Sequence, residues 1–141
     1  MPSETTVMSE NDNIRKLQQL YAAFGRGDIN TILENVTDDV TWGTETTANE
    51  VPWYPLRNGR ESVGGFFATL AREVDFTNFT PSQFASVGDI VYAHVDLAYK
   101  FKKNGRSAAS GSVHEFRFRD GKVSRFRAFE DTATVRDAWN G

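Results

Sequence analysis

The chain has 141 residues, a formal net charge of −3, an isoelectric point near 5.4 and no cysteine. This length predicts one domain with a substantial core. The acidic balance disfavours nucleic-acid binding, and the lack of cysteine excludes disulfides, thiolate nucleophiles and cysteine metal sites. No apolar run approaches the roughly 18 residues of a membrane span and no signal sequence is recognisable, so we expect a soluble, cytoplasmic protein without membrane contact.

The beginning of the chain predicts a tail and then a helix. Residues 1–10 are mostly polar and are expected to form a disordered tail. Over residues 11–24, apolar side chains recur at helical spacing and form one stripe: Ile14, Leu17, Leu20, Tyr21 and Phe24. Gly25 and Gly27 are expected to end this helix. Tyr21 is either a core aromatic with a satisfied hydroxyl or a functional group.

Two further helices and a short strand are predicted next. Asp28 is expected to cap a second helix that runs to about Val36. Residues 40–42 predict a short strand, and residues 59–73 predict a third helix with an apolar stripe. A long loop over residues 43–58 joins these last two elements.

The long loop carries two aromatic side chains, Trp53 and Tyr54, between Pro52 and Pro55. Long loops in small domains are often lids or binding loops. Two interpretations stay open: the aromatic pair covers a bound ligand, or it plugs the mouth of the core.

The remainder of the chain predicts an antiparallel meander and a terminal helix capped by Asp131. The first strand covers residues 76–87 and is interrupted near Pro81. Three strands joined by short turns follow, at residues 90–101, 112–118 and 123–130.

Two Gly-containing turns determine which side chains share a face of this meander. Asn104-Gly105 is expected to form a two-residue turn, and Arg119-Asp120-Gly121 a three-residue turn with Gly121 in the left-handed conformation. With these lengths, one face is apolar and holds Val91, Ala93, Val95, Leu97, Tyr99, Phe101, His114, Phe116, Phe118, Phe126 and Ala128. The other face is polar and holds Arg117, Arg125 and Arg127.

Together these elements predict an α+β fold in which a strongly curved antiparallel (mixed) sheet wraps around three N-terminal helices. A central pocket is expected between the sheet and the helices, with Tyr21, His114 and Glu130 on its wall. His114 is either a functional group or a hydrogen-bonded core histidine. His94 is expected on the opposite face, so the two histidines cannot share a metal ion, and no cradle for a haem or nucleotide is recognisable. We therefore expect no metal and no cofactor.

Three stretches carry a resemblance to a known family: LYAAFGRGDINTILENVTDDVTW, GRESVGGFF and HEFRFRDGKVSRFRAF. Residues 11–141 resemble a single domain of the nuclear-transport-factor-2-like (NTF2-like) superfamily, in its SnoaL-like, ketosteroid-isomerase-like branch. The resemblance implies a cone-shaped barrel and a homodimer formed through the outer sheet face. The polar row expected there comprises Tyr92, His94, Glu115, Arg117, Arg125 and Arg127.

The resemblance also implies roles for individual residues. Tyr21 matches the tyrosine that stabilises the oxyanion in ketosteroid isomerases, and His114 matches their second donor. The general base of those isomerases falls at about Thr44, and the acidic residue of the epoxide-hydrolase and polyketide-cyclase relatives falls at Ala128. Neither residue can act as a base, so Glu130 or Glu45 would have to replace the missing carboxylate.

Function stays open between three hypotheses. The first is an isomerase-like or lyase/cyclase-like enzyme in which Tyr21, His114 and Glu130 are catalytic. The second is a non-catalytic protein that binds a small hydrophobic molecule, and the third is an interaction protein that uses its outer face. In the first two cases the expected ligand-contacting residues are Trp42, Trp53, Tyr54, Phe67, Leu97, Tyr99, Phe116, Phe126 and Ala128.

Overall fold

A computed structural model of the chain describes residues 2–141, with side chains from Glu10 onward. Four helices and six strands follow one another in the described part of the chain: α1 Pro2–Gly25, α2 Ile29–Glu34, β1 Val36–Thr44, β2 Arg57–Asn58, α3 Arg60–Glu73, β3 Val74–Val87, β4 Ile90–Phe101, β5 Ser107–Arg119, β6 Lys122–Phe129 and α4 Thr132–Asn140. The predicted α+β class is confirmed, and the elements follow the predicted order except that a short strand, β2, lies within the predicted loop over residues 43–58. No described helix is long and apolar enough to cross a membrane.

The six strands form one mixed sheet in the order β2-β1-β6-β5-β4-β3. Strands β3 to β6 are the predicted antiparallel meander, and β1 joins its end by pairing parallel to β6. The sheet does not close into a barrel, because β2 and β3 are its two edges. Helices α1 and α3 pack against the sheet and α2 packs against both of them, which gives the predicted cone-shaped arrangement.

Several element boundaries differ from the sequence-based expectation. Helix α1 begins at Pro2, earlier than the predicted residue 11. The sequence did not reveal this start, because a polar helical stretch carries no apolar repeat that could mark it. The tail was predicted over residues 1–10. Met1 lies outside the described residues, as do the side chains of residues 2–9. Strand β1 is longer than the predicted residues 40–42. The prediction was too short because the exposed Asp38 and Asp39 have the composition of a turn.

The two turns of the meander differ in length from the prediction but preserve the predicted faces. Phe101 and Arg106 flank a four-residue turn rather than a two-residue one. The second turn has two residues, Asp120 and Gly121, with φ of 54° and 79°, and the extra residue lies in a bulge near Ser124. The first change shifts the register by two residues, and the shorter second turn together with its bulge also shifts it by two, so no strand is turned over.

The register therefore places His114 opposite Ala93 on β4 and opposite Ala128 on β6. These side chains belong to the apolar row of the sheet, which faces the helices. Trp42 packs on Phe126 with ring centroids 4.3 Å apart, and this contact links β1 to the meander. The predicted caps are also present, since Asp28 and Asp131 accept hydrogen bonds at the starts of α2 and α4.

Candidate active site

A cavity of about 100 Å³ lies between the inner face of the sheet and the helices. Its wall is almost entirely aromatic and aliphatic, with a few polar groups. The lining residues are Leu17, Leu20, Tyr21, Phe24, Ile32, Val36, Trp42, Thr44, Trp53, Phe66, Phe67, Leu70, Phe76, Phe79, Leu97, Tyr99, His114, Phe116, Phe126, Ala128 and Glu130.

Tyr21 and His114 form a hydrogen-bonded pair on this wall. The Tyr21 hydroxyl lies 2.9 Å from Nδ1 of His114. Tyr21 is supplied by the apolar stripe of α1, and His114 by the inward-facing row of β5. Phe116 and Phe126 pack against the imidazole, so the pair is held in an apolar shell.

Burial keeps both members of this pair uncharged. It lowers the pKa of His114 from 6.5 to about 3, and it raises the pKa of Tyr21 well above its ordinary value of 10. A neutral imidazole carries one N–H and a phenol one O–H. One of these two hydrogens forms the bond between the rings. The other hydrogen has no partner among the described side chains, since none of them bonds to His114 Nε2.

A half-buried carboxyl group, Glu130, forms the second polar cluster of the cavity. The Tyr54 hydroxyl donates to Oε2 of Glu130 at 2.5 Å, and the Tyr99 hydroxyl donates to the same oxygen at 2.9 Å. Tyr54 comes from the loop after β1, and Tyr99 from the inward row of β4. Among the described residues, no donor bonds to the other oxygen, Oε1.

The environment of Glu130 acts on its protonation in two directions. Desolvation raises the pKa of the carboxyl group, while the hydroxyls of Tyr54 and Tyr99 lower it, and burial has the larger effect. The nearby carboxyl of Asp131 also raises the pKa of Glu130. Burial is the main cause that raises the pKa values of Tyr54 and Tyr99, and the Glu130 carboxyl is the second. Both phenols therefore keep their protons and act as hydrogen-bond donors.

The structure brings together nearly all the residues singled out from the sequence. All three candidate catalytic residues line the cavity, as do the expected ligand-contacting residues other than Tyr54. Tyr54 is fully buried and reaches the site only through its bond to Glu130. Its neighbour Trp53 lines the cavity and also packs on Trp139 of α4, so the loop both borders and plugs the core.

Two cavity positions correspond to the carboxylates that the family resemblance implies and that this chain lacks. Thr44 and Ala128 lie opposite each other in the β1–β6 pair, and both line the cavity. Glu45 does not line the cavity, because it forms an ion pair with Arg127 on the other side of the sheet. Of the two replacement carboxylates considered, only Glu130 lies on the cavity wall.

Sequence reasoning missed part of this site. The contacts that join Glu130 to Tyr54 and Tyr99 connect residues 76 and 31 positions apart, and no local pattern signals them. Several cavity residues on α3 and β3 were also not assigned to the site, although the apolar stripe of α3 could have indicated Phe66 and Leu70.

The outer face of the sheet carries ion pairs. Arg125 binds Glu115 at 2.8 Å, and Arg127 binds Glu45. His94 lies on this face, so the prediction that the two histidines face opposite sides of the sheet is confirmed. Among the side chains that the structure describes, no group of three or more acidic or histidine residues could hold a metal ion.

Residues 17–126 match the family described as a SnoaL-like domain. An NTF2-like protein of unknown function from Burkholderia pseudomallei is similar in structure, with 23% identity, a TM-score of 0.83, and coverage of 92% of this chain and 98% of its own. TerC co-crystallised with polyporic acid has 23% identity, a TM-score of 0.78 and coverage of 92% and 99%. An epoxide hydrolase from M. tuberculosis, described as LEH-like, has 14% identity, a TM-score of 0.73 and coverage of 94% and 92%. No curated protein is significantly similar to the chain.

Proposed function

The chain belongs to the SnoaL-like domain family, and from that premise we propose that it catalyses acid–base chemistry on a small, uncharged, hydrophobic carbonyl compound, as an isomerase or cyclase. The observation that carries the proposal is the 2.9 Å hydrogen bond between Tyr21 and His114 inside the apolar cavity. This neutral pair offers one unused hydrogen to a ligand. A carbonyl oxygen accepts such a hydrogen, and the bond strengthens as negative charge develops on that oxygen.

Glu130 is the group that would move the proton. In its ionised form, it removes a proton from the carbon next to the carbonyl group, and the electron pair of that C–H bond forms an enolate. The enolate oxygen accepts the hydrogen bond from the Tyr21–His114 pair. The protonated Glu130 then returns the proton to a carbon of the enolate system. In the cyclase case, the enolate carbon instead forms a bond to a second carbonyl carbon, the π bond of that carbonyl breaks to give an alkoxide, and the alkoxide takes the proton from Glu130.

The spacing of the two clusters fits a substrate of one ring. His114 lies directly opposite Ala128, and Glu130 is two residues further along, which corresponds to roughly 7 Å of extended chain. A cavity of about 100 Å³ is of the order of an apolar site that accepts benzene. The similar proteins named above include an epoxide hydrolase and a protein crystallised with polyporic acid, which supports a small organic ligand in this fold.

Exchange of α-protons tests this proposal without knowledge of the natural substrate. Cyclopentanone is incubated with the protein in D₂O, and loss of its α-proton signals is followed by ¹H NMR. The wild-type protein is expected to accelerate exchange over buffer. Glu130→Gln should reduce the protein-dependent rate by about 10²–10⁴-fold, and His114→Phe by about 10²-fold or more.

Glu45→Gln is the matched control for this experiment. It removes a carboxylate of the same type from the outer side of the sheet, and its exchange rate is expected to equal that of the wild type. Equal rates for Glu130→Gln and the wild type would refute the role of Glu130. A wild-type rate no higher than buffer would refute carbon-acid catalysis on this ligand class.

A second candidate function, binding without catalysis, has one observation in its favour. Thr44 and Ala128, where the resemblance places the family carboxylates, are not ionisable and leave that part of the wall neutral. Under this alternative, single-ring ketones and arenes raise the melting temperature and no α-proton exchange occurs. Exchange that depends on Glu130 would eliminate the alternative.

We also propose that the protein forms a homodimer through the outer face of its sheet. Val113 and Phe129 lie directly opposite each other on β5 and β6. They are 40% and 38% exposed and form an adjacent apolar pair on the outer face, and contiguous exposed apolar surface is typical of interaction sites. Light scattering is expected to give twice the monomer mass, and a monomer at micromolar concentration would contradict the proposal.

A further inference from the structure

We infer that Tyr54 and Tyr99 are positioning residues that hold one oxygen of Glu130 and leave its other oxygen, Oε1, to act on the substrate. The inference deepens the function proposed above and rests on it. It assigns a role to two tyrosines that would otherwise be read as cavity lining and as a plug.

The geometry carries this inference. Both phenol oxygens bond to the same carboxyl oxygen, Oε2, at 2.5 and 2.9 Å. They approach from two different elements, the loop after β1 and strand β4, while Glu130 follows the end of β6. Two donors from separate elements fix both the rotation and the position of a carboxyl group more firmly than one donor can. A base held in this way needs no reorganisation when the substrate arrives.

The other oxygen is available for chemistry. Glu130 lines the cavity, and among the described side chains no donor bonds to Oε1. A carboxylate whose two oxygens were both bonded by the protein would be a weaker base, since each donor stabilises the charged form. Concentrating both donors on Oε2 leaves the lone pairs of Oε1 without a partner among the described side chains and therefore free for a substrate C–H bond.

The two hydroxyls also counteract burial. Without them, the apolar surroundings and the neighbouring carboxyl of Asp131 would favour the protonated acid, which cannot accept a proton. Tyr54 and Tyr99 hydrogen-bond to the carboxyl group and lower its pKa. These two phenols and Asp131 are the titratable groups that act on Glu130 among the described residues.

The test measures the titration of Glu130 directly and does not require activity. The carboxyl carbon of Glu130, assigned by its absence in Glu130→Gln, is followed by ¹³C NMR across pH in the wild type and in Tyr54→Phe, Tyr99→Phe and the double variant. Each single variant should raise the pKa of Glu130 by about one unit, and the double variant should raise it further. Tyr92→Phe, which removes the one tyrosine of the outer face, should leave the titration unchanged.

The same variants have a predicted effect on the exchange reaction. The ascending limb of the pH–rate profile should move to higher pH by the same amount as the carboxyl titration. At pH well above both values the carboxylate is ionised but no longer held, so the rates should stay about tenfold or more below that of the wild type. Unchanged titration curves in both single variants would overturn the inference. If the titration shifts but no protein accelerates exchange, the positioning contacts are real and the proposed catalytic function is wrong.

Discussion

The neutral state of His114 gives a prediction that can be worked out in full. Its pKa is about 3 in the folded protein and about 6.5 in the unfolded chain. The folded state therefore binds this proton more weakly than the unfolded state does. The stability that depends on the neutral imidazole is complete above pH 6.5 and is lost as the pH falls from 6.5 towards 3.

The magnitude follows from the size of the shift. Each pH unit below 6.5 removes about 1.4 kcal/mol, so the loss between pH 8 and pH 5 is about 2 kcal/mol. Glu130 acts in the opposite direction, because its raised pKa favours the protonated folded state as the pH falls. The histidine contribution must therefore be isolated by a difference between two proteins.

His114→Gln supplies this difference, since it removes the titration while leaving a polar side chain opposite Tyr21. Urea unfolding of the wild type and the variant is measured between pH 8 and pH 5, and the free energies of unfolding are subtracted. The wild type is expected to lose about 2 kcal/mol relative to the variant over this range. A difference that does not change with pH would refute the reasoning.

A second readout avoids any dependence on the variant. The chain has two histidines, so two imidazole resonances are followed by NMR, and His94→Gln identifies the outer one. The resonance of His114 is expected to remain that of a neutral ring throughout the range in which the protein stays folded. A His114 midpoint near 6.5 in the folded protein would contradict the assigned environment.

Three further changes test the fold around the site by urea unfolding. Tyr21→Phe leaves a buried ring nitrogen without its partner and should cost about 1–3 kcal/mol, whereas Tyr92→Phe on the outer face should cost less than about 0.5 kcal/mol. Gly121→Ala places a side chain at a φ of 79° and should cost about 1 kcal/mol, whereas Gly25→Ala, with no atom within 4 Å of the new carbon, should be nearly neutral. Trp53→Ala removes a buried ring and should cost about 3–5 kcal/mol; a loss below 1 kcal/mol would mean that the loop does not seal the core.

The sequence could predict that Tyr21 and His114 face each other, because this arrangement depends only on the periodicity of the helix and the strand. Helical spacing places Tyr21 on the apolar stripe of α1, and strand alternation places His114 on the inward row of β5. Errors in the two turn lengths did not alter this result, because the first shifted the register by two residues and the one-residue error in the second was made even by the bulge near Ser124. An odd error would have moved His114 to the outer face.

Glu130 illustrates what the sequence leaves undetermined. Its place on the inner face follows from alternation with Ala128, but its bonds to Tyr54 and Tyr99 depend on where a loop and a distant strand end in space. The extent of β1 was also hidden, because its exposed aspartates resemble a turn. The sequence shows directly that Thr44 cannot act as a base. That Glu45 cannot replace it is known only from the structure, in which Glu45 forms an ion pair with Arg127 on the outer side of the sheet.

The most direct test of the central claim is a crystal structure of the protein with 2-cyclohexen-1-one in the cavity. The claim predicts the carbonyl oxygen about 3 Å from His114 Nε2 or from the Tyr21 hydroxyl, with a carbon bearing acidic hydrogens facing Oε1 of Glu130. A ring bound in the cavity with its carbonyl group turned away from the Tyr21–His114 pair would contradict it.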